Sequence, residues 1–143
     1  VLEYNCRFGD PETQPIMMRL ESDFVELLLA TINGSLSEQS VSWSKDVALG
    51  VVMAAGGYPI KYKSGYPICG LDDIDSESIK VFHAGTNSKE GKIITAGGRV
   101  LCVVGKGKTT KDAQKTSYSA LEKIKWKDEF HRNDIGYRAI ERE

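Results

Sequence analysis

Little in this sequence favours a membrane protein, a disulfide framework or a zinc site. No apolar run approaches the roughly 20 residues needed to cross a bilayer, and the longest, VALGVVMAAGGY, is interrupted by its own glycines. Cysteine occurs three times, at Cys6, Cys69 and Cys102. An odd number so widely spaced points to free thiols in a reducing compartment, and hence to a cytoplasmic location. There is no CxxC pair, and His83 and His131 stand apart from each other, so zinc has poor support. Lys and Arg number 19 against 20 Asp and Glu, a formal net charge of −1. Without a basic surplus, general affinity for nucleic acid or for an anionic membrane is not expected. Nor does the chain open on the basic and then apolar segments of a signal peptide.

What is present is ordinary globular material: 143 residues, 41% hydrophobic and 27% charged, enough for one domain with a core. The first residue is Val1, inside a strand-like pattern and without an initiator Met, which predicts a piece of a longer protein. VLEYNCRF alternates with period two, placing Leu2, Tyr4, Cys6 and Phe8 on one face and Glu3, Asn5 and Arg7 on the other. By that parity Cys6 belongs to the apolar face and is inert. Gly9-Asp10-Pro11 is a turn signal that ends the strand. PETQPIMMRL supplies one helical turn. Ser22 or Asp23 then caps a helix over FVELLLATI, where Phe24, Leu27, Leu28 and Thr31 recur at helical spacing, with Asn33-Gly34 as its stop.

Ser35 to about Asp46 is polar and reads as a linker between residues 1–34 and 45–143, with Trp43 as its anchor. Beyond it the pattern is β-rich. Strands are predicted over 47–55, 78–86 and 91–107, the last with a bulge or hairpin bend at Gly97-Gly98. KSGYPICGLDDID is turn-rich with room for one short strand. Thr109 or Thr110 caps a closing helix whose inward face carries Ala113, Thr116 or Tyr118, Ala120, Leu121 and Ile124. VVGKGKTT imitates a phosphate-binding loop, but Cys102 stands where that motif demands glycine, and threonine capping explains the string.

The opening strand holds the chemistry. Glu3 and Asn5, at i and i+2, project together about 6.5–7 Å apart. Two hard oxygen donors at that spacing can hold Mg²⁺ while nucleotide phosphates complete its shell. Arg7, two residues on, can neutralise charge on a transferred phosphoryl group. The same alternation also fits a solvated polar face; the continuation FGDPETQ is what such a face does not require. In TAGGRVLCV, two glycines allow close backbone approach to a ligand and Arg99 can reach a phosphate, although a bulge with a surface arginine fits as well.

LEYNCRFGDPETQPIMMRL closely resembles the last metal-binding strand of the ATP-grasp domain in the phosphoribosylamine–glycine ligases (glycinamide ribonucleotide synthetases). The resemblance continues through SDFVELLLA, LGVVMAAGGYP, KVFHAGT, TAGGRVLCVV and DIGYRAIERE, in order and over essentially the whole chain. It implies an α+β fold: the last metal-binding strand and helix of an ATP-grasp domain (1–34), then a small antiparallel β-rich C-terminal domain with a closing helix (45–143). It implies a purine-biosynthesis enzyme that joins glycine to 5-phosphoribosylamine through a glycyl phosphate, with ATP as substrate. Glu3 and Asn5 would hold Mg²⁺ or Mn²⁺, and Arg7 would face the phosphoryl group. Asp10 and Glu12 would line the glycine end, and Gly97, Gly98 and Arg99 the sugar phosphate. The chain lacks the upstream ATP-gripping elements of that family, so in isolation it is expected to be inactive. A different class remains open beside this one, a binding or assembly module that keeps the fold without catalysis; the mass of the native protein separates the two.

Overall fold

The computed structural model describes residues 1, 4, 6–74 and 76–143. Helices α1 (Thr13–Arg19) and α2 (Phe24–Ile32) come first, followed by a short 3₁₀ turn (Leu36–Glu38). Strands β1 (Val47–Ala54), β2 (Ile79–His83), β3 (Thr86–Lys89), β4 (Lys92–Thr95) and β5 (Arg99–Gly107) follow, then α3 (Thr110–Leu121) and the single turn α4 (Tyr137–Ile140). β5 is the centre of an antiparallel sheet in the order β1-β5-β2, and β3 and β4 pair as a separate antiparallel hairpin. The mixed, antiparallel architecture read from the sequence is therefore present. Gly97-Gly98 is a corner rather than a hairpin: β4 leaves the hairpin there and the chain enters β5. The bulge falls just beyond, where the register between β1 and β5 shifts at Met53/Ala54.

The core lies between that sheet and α3. Leu49, Val51 and Met53 of β1 and Leu101 and Val103 of β5 meet Ala113, Ala120, Leu121 and Ile124. Each larger side chain fully buried there stabilises the fold by roughly 1.5–3 kcal/mol before entropy is counted. The closeness of helix and sheet depends on Gly105, where a Cβ would lie 2.6 Å from the Ser117 nitrogen. Ser117 is fully buried, accepts from the Gly105 N–H at 2.9 Å, and lies with its Oγ 2.7 Å from the Leu49 carbonyl oxygen. Tyr118 packs partly buried against the core, as the sequence offered, and Ser117 beside it is a fully buried polar residue the spacing did not single out. Thr109 is the helix cap, its Oγ1 accepting from the Asp112 N–H at 3.1 Å. The loop-like string VVGKGKTT is accordingly the end of β5 and a capped helix start.

α1 covers the opposite face of the sheet; a Cβ on Gly50 would lie 3.0 Å from Pro15 Cγ. Asp23 caps α2, accepting from the Val25 and Glu26 N–H groups at 2.8 and 3.1 Å. α2 turns Phe24, Leu27 and Ala30 inward, whereas Leu28 and Thr31, which share the helical spacing, are exposed. Val25, Leu28, Leu29 and Ile32 form an apolar face open to solvent. The polar linker is tied back to the α1–α2 joint: Ser44 N–H donates to the Arg19 carbonyl at 2.8 Å and Glu21 N–H to that of Ser42 at 3.0 Å. Trp43 anchors it through a backbone bridge to Leu20.

The opening strand is not formed among the described residues of 1–8. A strand needs a ladder partner for its backbone groups, and no described strand lies beside this segment. Tyr4, Cys6 and Phe8 are exposed rather than packed on an apolar face. Cys6 is therefore an accessible thiol, not a buried one. Glu3 and Asn5 lie outside the described residues.

Candidate functional site

The turn after Phe8 delivers Asp10 to the rim of the main sheet. There Arg99, first residue of β5, donates from Nη2 to Asp10 Oδ2 at 2.6 Å. Two residues selected separately from the sequence, 89 positions apart, thus form one ion pair. Their side chains keep relative exposures of 44% and 55%, so both can still meet a ligand. Two clefts flank the pair. One, of about 290 Å³, is walled by Pro11, Val52, Ala54, Tyr58, Phe130 and Arg132. The other, of about 320 Å³, reaches past Gln14, Ala84 and Leu101 to Cys102. Gln14 Oε1 is buried without a hydrogen-bond partner. The Cys102 thiol is pushed up to about 11, first by burial and then by the Asp10 carboxylate. It is a core group, not a nucleophile.

Each remaining expected residue has a definite place. Arg7 is exposed and turns Nη1 back onto the Phe8 carbonyl at 2.9 Å. It is not brought to the Asp10–Arg99 pair by any hydrogen bond among the described residues. The Phe8 ring meets Phe24 edge-on, centroids 5.6 Å apart, which ties this segment to α2. Glu12 stands immediately before α1, its carbonyl accepting from Ile16 N–H at 3.2 Å, with its carboxylate folded over Gly9. The glycines are explained by packing within the protein. A Cβ on Gly97 would lie 3.0 Å from Gly85 Cα, and one on Gly98 would enter the Tyr58 ring. Close backbone approach is real here, but it is made to the chain's own atoms.

Tyr58, Phe130 and Arg132 line the clefts without having been selected from the sequence. Phe130 is brought in by its backbone, which exchanges hydrogen bonds of 2.8 and 3.0 Å with Ala54. Arg132 is occupied by Asp134 in a two-point pair at 2.8 and 2.7 Å. Hydrogen bonding from Arg132 holds the Asp134 carboxyl below the ordinary carboxylate range. His83 Nδ1 lies 3.0 Å from Thr86 Oγ1, and His131 Nδ1 is 3.5 Å from Glu129 Oε2. Neither histidine joins a metal-ligating cluster among the described residues.

A domain of this antiparallel α/β architecture has known relatives. The family described as phosphoribosylglycinamide synthetase, C domain, matches residues 48–138. The chain therefore belongs to that family. A phosphoribosylamine–glycine ligase of Vibrio vulnificus strain CMCP6 is 56% identical over 143 residues, covering 100% of this chain and 33% of the relative. The Escherichia coli O157:H7 ligase of the same name is 55% identical over 144 residues, covering 100% of this chain and 34% of that protein. Among solved structures, the crystal structure of phosphoribosylamine–glycine ligase from Thermotoga maritima superposes with a TM-score of 0.79 at 36% identity. It matches 94% of this chain and 33% of its own. The chain thus spans about a third of the length of the relatives it matches.

Proposed function

We propose that this chain is the C-terminal third of a phosphoribosylamine–glycine ligase, acting in purine biosynthesis in the cytoplasm. The observation that carries the reading is the extent of the likeness. More than half the residues are identical over the entire chain in proteins bearing that name. In the proposed reaction a glycine carboxylate oxygen attacks the γ-phosphorus of ATP and ADP leaves. The amine of 5-phosphoribosylamine then attacks the acyl carbon of glycyl phosphate, releasing phosphate and leaving glycinamide ribonucleotide. Chemistry of this kind rests on positioning and charge neutralisation, so few protein groups suffice.

The residue roles follow the same proposal. Glu3 and Asn5 carry the hard carboxylate and carboxamide oxygens that suit Mg²⁺ or Mn²⁺, and such an ion would offset phosphate charge. Arg7 stabilises the transferred phosphoryl group. Asp10 and Glu12 line the glycine end, and Arg99 binds the sugar phosphate beside the Gly97-Gly98 corner. Residues 1–34 complete an ATP-grasp domain whose other elements lie elsewhere in the full-length protein. The open face of α2 supports this: Ile32 is 80% and Val25 62% exposed, an arrangement that wants an apolar partner. That partner would be the remainder of the same enzyme.

The test is ADP release by the full-length protein in the presence of ATP, glycine, 5-phosphoribosylamine and a divalent cation. Glu3→Gln and Asn5→Ala are expected to abolish it, and the 143-residue chain alone to show none. Full activity in both variants would overturn the metal-ligand assignment. Absence of glycine-dependent ADP release from the unmodified full-length protein would overturn the reading itself.

A further inference from the structure

Beside Tyr62 lies a third cleft, of about 260 Å³, that the proposed reaction does not use. Lys61, Tyr62, Lys63, Tyr66, Lys127 and Asp128 line it. Three ammonium groups and one carboxylate give it a local charge of about +2 by side-chain count, in a chain whose net charge is −1. Among the described residues none of these lysines has an ion-pair partner within 4.0 Å. Lys127 instead sits over the Tyr66 ring, 5.7 Å from its centroid.

The walls are held independently of any ligand. Gly57, at φ +90°, lets the chain close on itself so that Ile60 and Lys61 N–H both donate to its carbonyl at 3.1 Å. Tyr66 is fixed to β4: its N–H donates to Thr95 Oγ1 at 3.1 Å, and Thr95 N–H returns to its carbonyl at 2.9 Å. Asp128 has a left-handed φ of 60°, which a non-glycine residue adopts at a cost. Its carbonyl is packed where a Cβ on Gly56 would lie 2.5 Å away, so the two walls touch at the floor. Tyr62 keeps 42% of its surface free, and its ring lies 6.0 Å from that of Tyr58.

We propose that this cleft is a second anion site, taking the phosphate or pyrophosphate group of a small phosphorylated metabolite, with Tyr62 as an apolar wall. Converging lysines repel one another in the free protein, and a multivalent anion removes that repulsion while gaining charge-assisted hydrogen bonds. The fixed walls lower the ordering cost of binding. The site is distinct from Arg99, since its lining shares no residue with the two clefts that Arg99 lines.

Lysine labelling with an acetylating reagent tests this on the unmutated full-length protein, with sodium chloride at matched ionic strength as control. Inorganic pyrophosphate is expected to slow labelling of Lys61, Lys63 and Lys127 several-fold while leaving Lys80 and Lys115 unchanged. Equal labelling with and without pyrophosphate, or equal protection by chloride, would overturn the proposal. Parallel arms with ribose 5-phosphate and AMP separate a sugar phosphate from a nucleotide: tighter protection by AMP assigns the Tyr62 face to a base. By calorimetry, Lys63→Gln with Lys127→Gln should weaken pyrophosphate at least tenfold in this site while Arg99→Met leaves it intact. The reverse pattern would assign all binding to the Arg99 clefts and sink the second site. Neither pattern depends on whether the ligase reaction itself is observed.

Discussion

Arg99 Nη2 and Asp10 Oδ2 meet at 2.6 Å, joining the start of β5 to the turn that precedes α1. Both groups are about half exposed, so the pair is worth only ~0–1 kcal/mol to the fold. Its value lies in holding a guanidinium between two clefts. Arg99→Met in the full-length protein should leave the melting temperature nearly unchanged. On the proposed ligase reading, the KM for 5-phosphoribosylamine should rise ~10–100-fold, as expected for losing a charge-assisted contact of about 1.5–3 kcal/mol. An unchanged KM would remove Arg99 from the sugar-phosphate site.

Ser117 and Gly105 make the opposite case, a buried contact with no catalytic role. Ser117→Ala withdraws the acceptor from the Gly105 N–H inside the core. A cost of about 1–3 kcal/mol is expected. Gly105→Val drives a side chain into α3 and should cost at least as much. Denaturant midpoints of both variants check this; a loss under 0.5 kcal/mol, on the order of a surface change, would show that helix and sheet are not closely packed here.

How far these features could be read beforehand depended on whether their cause was local. The Asp23 and Thr109 caps, the apolar run of β1 and the turn at Gly9-Asp10-Pro11 each act within a few residues, and the spacing revealed them. The opening strand rests on alternation and on the family resemblance, but neither supplies a ladder partner within this chain. In α2 the apolar residues run nearly all round, so helical spacing does not say which side faces in, and Leu28, which shares that spacing, is exposed. Asp10 enters through the family resemblance and Arg99 through its phosphate-binding chemistry, yet no spacing rule links positions so far apart. Ser117 was passed over because a buried serine reads as polar until the glycine opposite it is known.

The pair Lys108–Asp46, 2.6 Å apart, joins the N-terminal side of β1 to that of α3 and predicts an acid-sensitive contribution. The hydrogen bond from Lys108 holds the Asp46 carboxyl below its ordinary 3.8. A depressed folded value means stability present above 3.8 and lost as pH falls through the folded value. The Lys108 ammonium is shifted up from 10.5 by the same bond, so its share persists below 10.5 and is lost only as pH rises through the folded value. Asp46→Asn should therefore lower the melting temperature slightly at neutral pH, and the difference should vanish in strong acid. A difference that grew on acidification would contradict the pairing.

The three cysteines divide by environment, and alkylation can report that division directly. Cys102 lies on the sheet face beside Gly50, is 2% exposed, and its thiol is pushed up to about 11 by burial. Only the thiolate reacts, and at mildly alkaline pH almost none of Cys102 is in that form. Cys6 and Cys69 are exposed. Iodoacetamide at pH 8, followed by peptide mass mapping, should modify Cys69 within minutes while Cys102 stays unlabelled until denaturant is added. Cys6 gives the informative contrast between the isolated 143-residue chain and the full-length enzyme. If the opening segment becomes a paired strand when the rest of the full-length protein is present, its apolar side, which includes Cys6, is covered, and labelling there should slow at least tenfold. Equal rates in the two forms would mean that residues 1–8 find no partner in the whole protein. The placement of Glu3 and Asn5 on a metal-binding strand would then fail with them.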